Sequence, residues 1–221
     1  MVPGPIAAGA ARLFGALSRA RGARIFHPKG AGFEAELSVD RAHPEYAGVP
    51  LLSEAGRHAA VVRLSHALGL PDRWPDILGL ALRLTDLHGP GRHQDLLLVT
   101  SAPGPLRFLF LPAPRDFYGH FYSTLLPYRL GDRLRMIGAR PAGSASFELC
   151  LATLLGAWQP VADLRIGAQL DEEFVERLAF NPWHAGGGMR PVGPLMRLRK
   201  PAYTGSQRGR GTDPGIVGPW P

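Results

Sequence analysis

The 221 residues carry a net charge of +7 and are 45% hydrophobic, which suits one domain with a sizeable core and excludes a disordered chain. A single cysteine, Cys150, excludes an internal disulfide and CxxC metal or redox motifs. The positive charge is nearly all arginine, since Lys29 and Lys200 are the only lysines, and no basic run interleaves with aromatics as in a single-strand nucleic-acid groove. No apolar run reaches the roughly 18 residues of a membrane span. The N-terminus lacks the charged, apolar, small-residue order of a secretory signal, so a cytoplasmic location is expected.

Along the chain, residues 1–10 read as a loose arm and residues 11–21 as a short basic amphipathic helix with Leu13, Phe14 and Leu17 on one side. From residue 31 the period changes to two. Phe33, Ala35, Leu37 and Val39 alternate with Glu34, Glu36 and Ser38, a half-buried strand. Strand-like segments follow at 59–65, 77–86, 94–101, 106–111, 132–138, 146–155 and 161–170, separated by Pro- and Gly-rich breaks. Two helices are expected among them, at 114–128 (PRDFYGHFYSTLLPY) and at 171–180 with Asp171 as N-cap. About eight short strands with turn signals between them predict an antiparallel barrel or sandwich. Residues 181–221 read as irregular.

Three clusters carry candidate chemistry. In RIFHPKGAGFEAEL (24–37), His27 stands just before a Gly-containing turn into a strand. In VVRLSHALG (61–69), Arg63 and Ser65 are two apart on a strand and share a face. In RLRKPAYTGSQRGR (197–210), Arg199 and Tyr203 are four apart and share a face if the segment is helical, with Arg208 and Arg210 following. Taken singly they read as a capping His, a solvated strand face and a basic tail. His88 and His93 have no helical metal-pair spacing, and no zinc, nucleophile-elbow or phosphate-loop motif is present. Trp158 and Trp183 read as core or interface aromatics.

In their order the three clusters resemble the catalase family over roughly residues 24–210. RxFHPKG resembles the strand carrying the distal His, VVRLS the segment whose Ser supports it, and Arg-x-x-x-Tyr the proximal haem-ligand helix. DLLLV, PLRFLFLPAPRDF and FNPW resemble the intervening barrel strand and approach. The resemblance implies an α+β, catalase-like antiparallel eight-stranded β-barrel with a few flanking helices. It implies an arm with a short helix over 1–22, a haem-binding barrel domain over 23–210 and a tail over 211–221. It also implies haem b, with Tyr203 as the iron ligand and Arg199 supporting its phenolate. His27 and Ser65 become the catalytic pair, Arg24, Arg63 and Arg210 the propionate partners, and Phe117 an aromatic packed on the haem plane.

The chemistry agrees with those roles. Ferric iron favours anionic oxygen, and a phenol with a pKa near ~10 needs the iron and a cation to bind as phenolate. An imidazole with a pKa near ~6.5 suits taking and returning a peroxide proton. Two departures temper the activity. The distal Asn of large catalases has no counterpart in VTSAPGP, where Thr100 and Ser101 stand, and Gly205 replaces an Asp. A chain this short leaves the haem more open, so peroxidase turnover of hydrogen or organic peroxides with an external reductant is expected over efficient catalase activity. A non-enzymatic haem carrier and a haem-free barrel holding another apolar ligand stay open as alternatives. So do the substrate, the reductant and self-association into a homo-oligomer.

Overall fold

The computed structural model describes residues 30–66, 76–104 and 116–192. The strands are β1 (Gly30–Val39), β2 (Gly56–His66), β3 (Leu78–Leu84), β4 (Gln94–Thr100), β5 (Tyr122–Ser123), β6 (Tyr128–Leu130), β7 (Arg133–Pro141), β8 (Ser146–Ala152), β9 (Gln159–Gln169) and β10 (Met189–Pro191). Eight of them, β1-β2-β3-β4-β5-β7-β8-β9, close into an antiparallel barrel because β9 pairs with both β1 and β8. The hairpin β6–β7 and the short β10 form a ribbon attached to the start of β7.

The period-two pattern read from residue 31 governs this architecture. Leu37 and Val39 point into the core and Phe33 and Ala35 pack against it. On β3, Leu78, Leu80, Leu82 and Leu84 are wholly buried in the lumen, and Leu96 and Leu98 of β4 meet them, with Leu82 opposite Leu96 and Leu80 opposite Leu98. Tyr122, Ile137, Phe147, Leu149 and Leu164 complete the filling. An eight-stranded barrel is just wide enough for side chains to occupy it, so the lumen is a core rather than a pore. Cys150 lies within β8, where burial pushes its thiol up to about 11 and leaves it unreactive at neutral pH.

Helix is scarce among the described residues. A 3₁₀ turn spans Pro44–Tyr46, α1 spans Pro50–Ser53 and α2 spans Glu172–Arg177. The expected cap of α2 is present: Asp171 accepts from the backbone N–H groups of Glu173 at 2.9 Å and Phe174 at 3.2 Å. The helix expected at 114–128 is not. From residue 116 onward the segment runs through bends into β5 and β6. Asp116 accepts the N–H of Gly119 at 2.7 Å, a local turn that competes with helix, and Pro127 precludes continuation. The antiparallel eight-stranded barrel is present, and among the described residues helix is limited to these short segments. The helix expected at 11–21 and the strand expected at 106–111 lie outside the described residues, as do the 1–22 arm and the 211–221 tail.

One buried ion pair fastens the chain after α2 to the barrel wall. Arg83 and Asp95 stand directly opposite each other on β3 and β4 and meet in a bidentate pair, both bonds 2.7 Å. Arg83 also donates to the carbonyl of Ala179 at 2.7 Å and lies under the Phe180 ring. Asp95 accepts from the Asn181 N–H and from His184 Nδ1, each at 2.8 Å. Residues 179–184 are thereby held across the outer face of β3 and β4. Burial alone would raise the Asp95 pKa, but the hydrogen bonds from Arg83 and His184 outweigh it and hold the carboxyl below its ordinary value.

Its stabilisation is therefore present above the unfolded carboxylate pKa of ~3.9 and lost as pH falls through the lower folded value. Asp95→Asn should lower stability at pH 7 by about 3–5 kcal/mol, because Arg83 is left buried without its counter-charge. The difference from wild type should shrink toward pH 2, as read from urea midpoints across that range.

Candidate functional site

Directly opposed residues on antiparallel strands share a face, so the register lays out two rows on the outside of the wall. One is Gly30–Ser65–Gly79–Val99 and the other Gly32–Arg63–Ala81–Leu97, each crossing β1, β2, β3 and β4. Ser65 and Gly79 are buried, and Arg63, Ala81, Leu97 and Val99 are half-buried. Three glycines, an alanine and a serine make this floor a stretch of wall with few bulky side chains, with an arginine beside it and aliphatic side chains at its far edge.

The floor depends on missing side chains. A Cβ on Gly30 would lie 2.6 Å from the Leu64 carbonyl oxygen, 2.7 Å from the Ser65 Cβ and 3.1 Å from the Arg63 guanidinium carbon. A Cβ on Gly32 would run into Val175 of α2, so that helix covers the neighbouring end of the floor.

The inner face of the same strands ends in a cavity of about 370 Å³ bordered by Gly30, Ala31, Phe33, Leu64, His66, Phe117 and Tyr118. Tyr122 is fully buried and donates its hydroxyl to the Phe117 carbonyl at 2.8 Å, which pins the 117–118 segment over the barrel mouth. Burial raises the pKa of the Tyr122 hydroxyl, so it stays a neutral donor. The Tyr118 and Phe147 rings lie 6.0 Å apart, and His66 meets Phe117 edge-on at 5.1 Å.

The residues singled out from the sequence divide accordingly. Arg63 and Ser65 lie together on the outer floor. Phe117 lies at the inner mouth, on the other side of β2, in a bend rather than a helix. His27 and Arg24 precede the described residues, with His27 three positions before Gly30. Arg199, Tyr203 and Arg210 also lie outside them. Thr100 and Ser101 are committed elsewhere: Thr100 Oγ1 accepts from the Leu78 N–H at 3.3 Å, and Ser101 donates to Ser123 at 2.9 Å.

Sequence reasoning passed over His66, although it follows Ser65 directly, and Asp76, whose proximity to it arises only from the β2–β3 register. It also passed over His184 and Asp95. His88, His93 and His184 border a second cavity, of about 200 Å³, at the opposite end of the barrel. No group of three or more His, Cys, Asp or Glu suited to a metal ion occurs among the described residues. No helix among them is long and apolar enough to cross a membrane.

No family model and no curated protein matches this chain.

Gly30→Ala should displace the β1 start from Ser65, because backbone and Cβ atoms cannot yield as a flexible chain end does. The expected loss is about 1–3 kcal/mol of stability, the range for overpacking a tight site, read from the urea midpoint.

Proposed function

We propose that the outer floor of β1–β4 binds haem b and that the protein is a catalase-like, peroxide-dependent oxidoreductase acting as a peroxidase. The observation that carries the reading is the floor itself. Its glycine, alanine and serine rows carry few bulky side chains, which would let a flat apolar macrocycle lie close to the backbone. Gly30, where a Cβ would collide with Leu64 and Ser65, lies beside the Arg63 guanidinium and three residues after His27. The donor set suits the group: an arginine for a propionate carboxylate, and a hydroxyl beside the strand that leads from an imidazole.

In this reading Tyr203 would hold the iron as phenolate, and Arg199, four residues before it in sequence, would supply the balancing positive charge. Arg63, Arg24 and Arg210 hold the propionates. Bound haem supplies the redox iron for reduction of a peroxide by an external donor. His27 takes a proton from one peroxide oxygen at a ring nitrogen and returns it to the other. Ser65 accepts from the second nitrogen and fixes the tautomer. The stretch VTSAPGP has no side-chain amide, and its Thr100 and Ser101 hydroxyls are committed to structural bonds. This favours modest turnover over efficient dismutation, and it is the observation that favours a haem carrier as the second reading.

The test is reconstitution with haemin. The expected result is a Soret band with a tyrosinate charge-transfer spectrum, abolished by Tyr203→Phe and weakened by Arg63→Ala. His27→Ala should keep the spectrum and lose peroxide-dependent oxidation of an artificial donor by about 10²-fold or more. Absence of haem binding by the wild type defeats the reading. Full turnover in His27→Ala removes His27 from its role.

A further inference from the structure

The inner mouth cavity is built differently from the outer floor. Its walls are Phe33, Leu64, Phe117, Tyr118 and Ala31, and the polar side chain set among them with a buried charge behind it is His66. Nδ1 of His66 is sealed from solvent without a hydrogen-bond partner and faces Oδ2 of Asp76 at 3.8 Å. Asp76 is wholly buried, whereas the His66 side chain keeps 16% exposure. With Nδ1 sealed, that exposure belongs to the rest of the side chain, which borders the cavity.

In a neutral His66 ring, the Asp76 carboxyl facing Nδ1 favours the tautomer with its proton on that nitrogen. Nε2 is then a lone-pair acceptor. A ligand that satisfies Nε2 must therefore donate a hydrogen bond. The remaining walls are aromatic and aliphatic and select a flat apolar body, with the Phe117 ring already standing edge-on to the imidazole. A volume of about 370 Å³ is at the small end of ligand pockets, which run from ~300 to ~1,000 Å³.

We infer that this mouth cavity is a binding site for small phenols, with the phenol hydroxyl donating to His66 and Asp76 acting as the positioning residue behind it. The inference does not rest on the haem reading: Gly30 borders both sites and Phe117 is shared with the haem-packing set, but His66 and Asp76, which carry the inference, have no part in that reading.

The experiment uses the full chain without added haemin and three fluorinated probes followed by fluorine NMR: 4-fluorophenol, fluorobenzene and 4-fluorobenzoate. The phenol should bind on the order of tenfold more tightly than fluorobenzene, the value of one hydrogen bond. That preference should vanish in His66→Phe, which keeps an aromatic wall, and shrink in Asp76→Asn, which keeps the size of the side chain. Cys150 alkylation confirms that each variant is folded, because the thiol is buried in the native barrel. Equal affinity for phenol and fluorobenzene in the wild type, a preference for the benzoate, or no binding of any probe overturns the inference. So does an unchanged phenol preference in a folded His66→Phe chain. A failed haemin reconstitution would leave these readings untouched, so the two conclusions fail separately.

Discussion

The pairing of β1 with β2, Gly30 against Ser65 through Val39 against Gly56, is the constraint on which the barrel and both candidate sites rest. A slip of one residue would send Phe33 and Leu37 to the outer face and Glu34 and Glu36 into the leucine-filled lumen, where their charges have no partner. The same slip would place a side chain where Gly30 now lies between Leu64, Ser65 and Arg63. Hydrophobic alternation and the glycine gap thus select one register, and that register closes the barrel because β1 also pairs with β9.

The outer face of β3 and β4 shows a second kind of constraint. Arg83 and Asp95 are almost wholly buried on a face that the barrel core does not need. Against hydrophobic residues of similar volume such a pair roughly breaks even, because desolvation offsets the attraction. Its value is directional. The guanidinium and carboxylate together take up the Ala179 carbonyl, the Asn181 N–H and His184, and so determine where the chain after α2 crosses the wall. Hydrophobic burial stabilises the barrel, while this polar cluster specifies how one segment docks on it.

How much of this is legible in the sequence depends on the range of the forces involved. Period two is a local property, so β1 can be read directly from alternation, whereas β2, β3, β4 and β9 are read as short apolar-rich segments between Pro- and Gly-rich breaks. The error at 114–128 has a specific cause: Phe117, Tyr118, Phe121, Tyr122 and Leu125 recur at i, i+1, i+4, i+5 and i+8, which mimics a helical stripe. The Asp116 turn and the demand of Tyr122 for a place in the core win over that stripe. The floor is harder to see, since Gly30, Ser65, Gly79 and Val99 have no common spacing and become a surface only through three registers. His66 and Asp76 are ten positions apart with nothing local to connect them.

The packed lumen also limits what a ligand can do here. Leu78, Leu80, Leu82 and Leu84, with Leu96 and Leu98, occupy the space that wider or emptier barrels give to a ligand. Admitting a macrocycle there would mean displacing several fully buried leucines, at about 1.5–3 kcal/mol of lost burial each, before any contact was gained. Any ligand would therefore have to use surfaces outside the packed lumen, such as the outer wall or the two ends of the barrel. Because successive residues of a strand face opposite ways, Ser65 serves the floor and His66 the mouth. One strand thus presents different side chains to the two proposed sites, and a substitution at Ser65 or at His66 alters the lining of one of them alone.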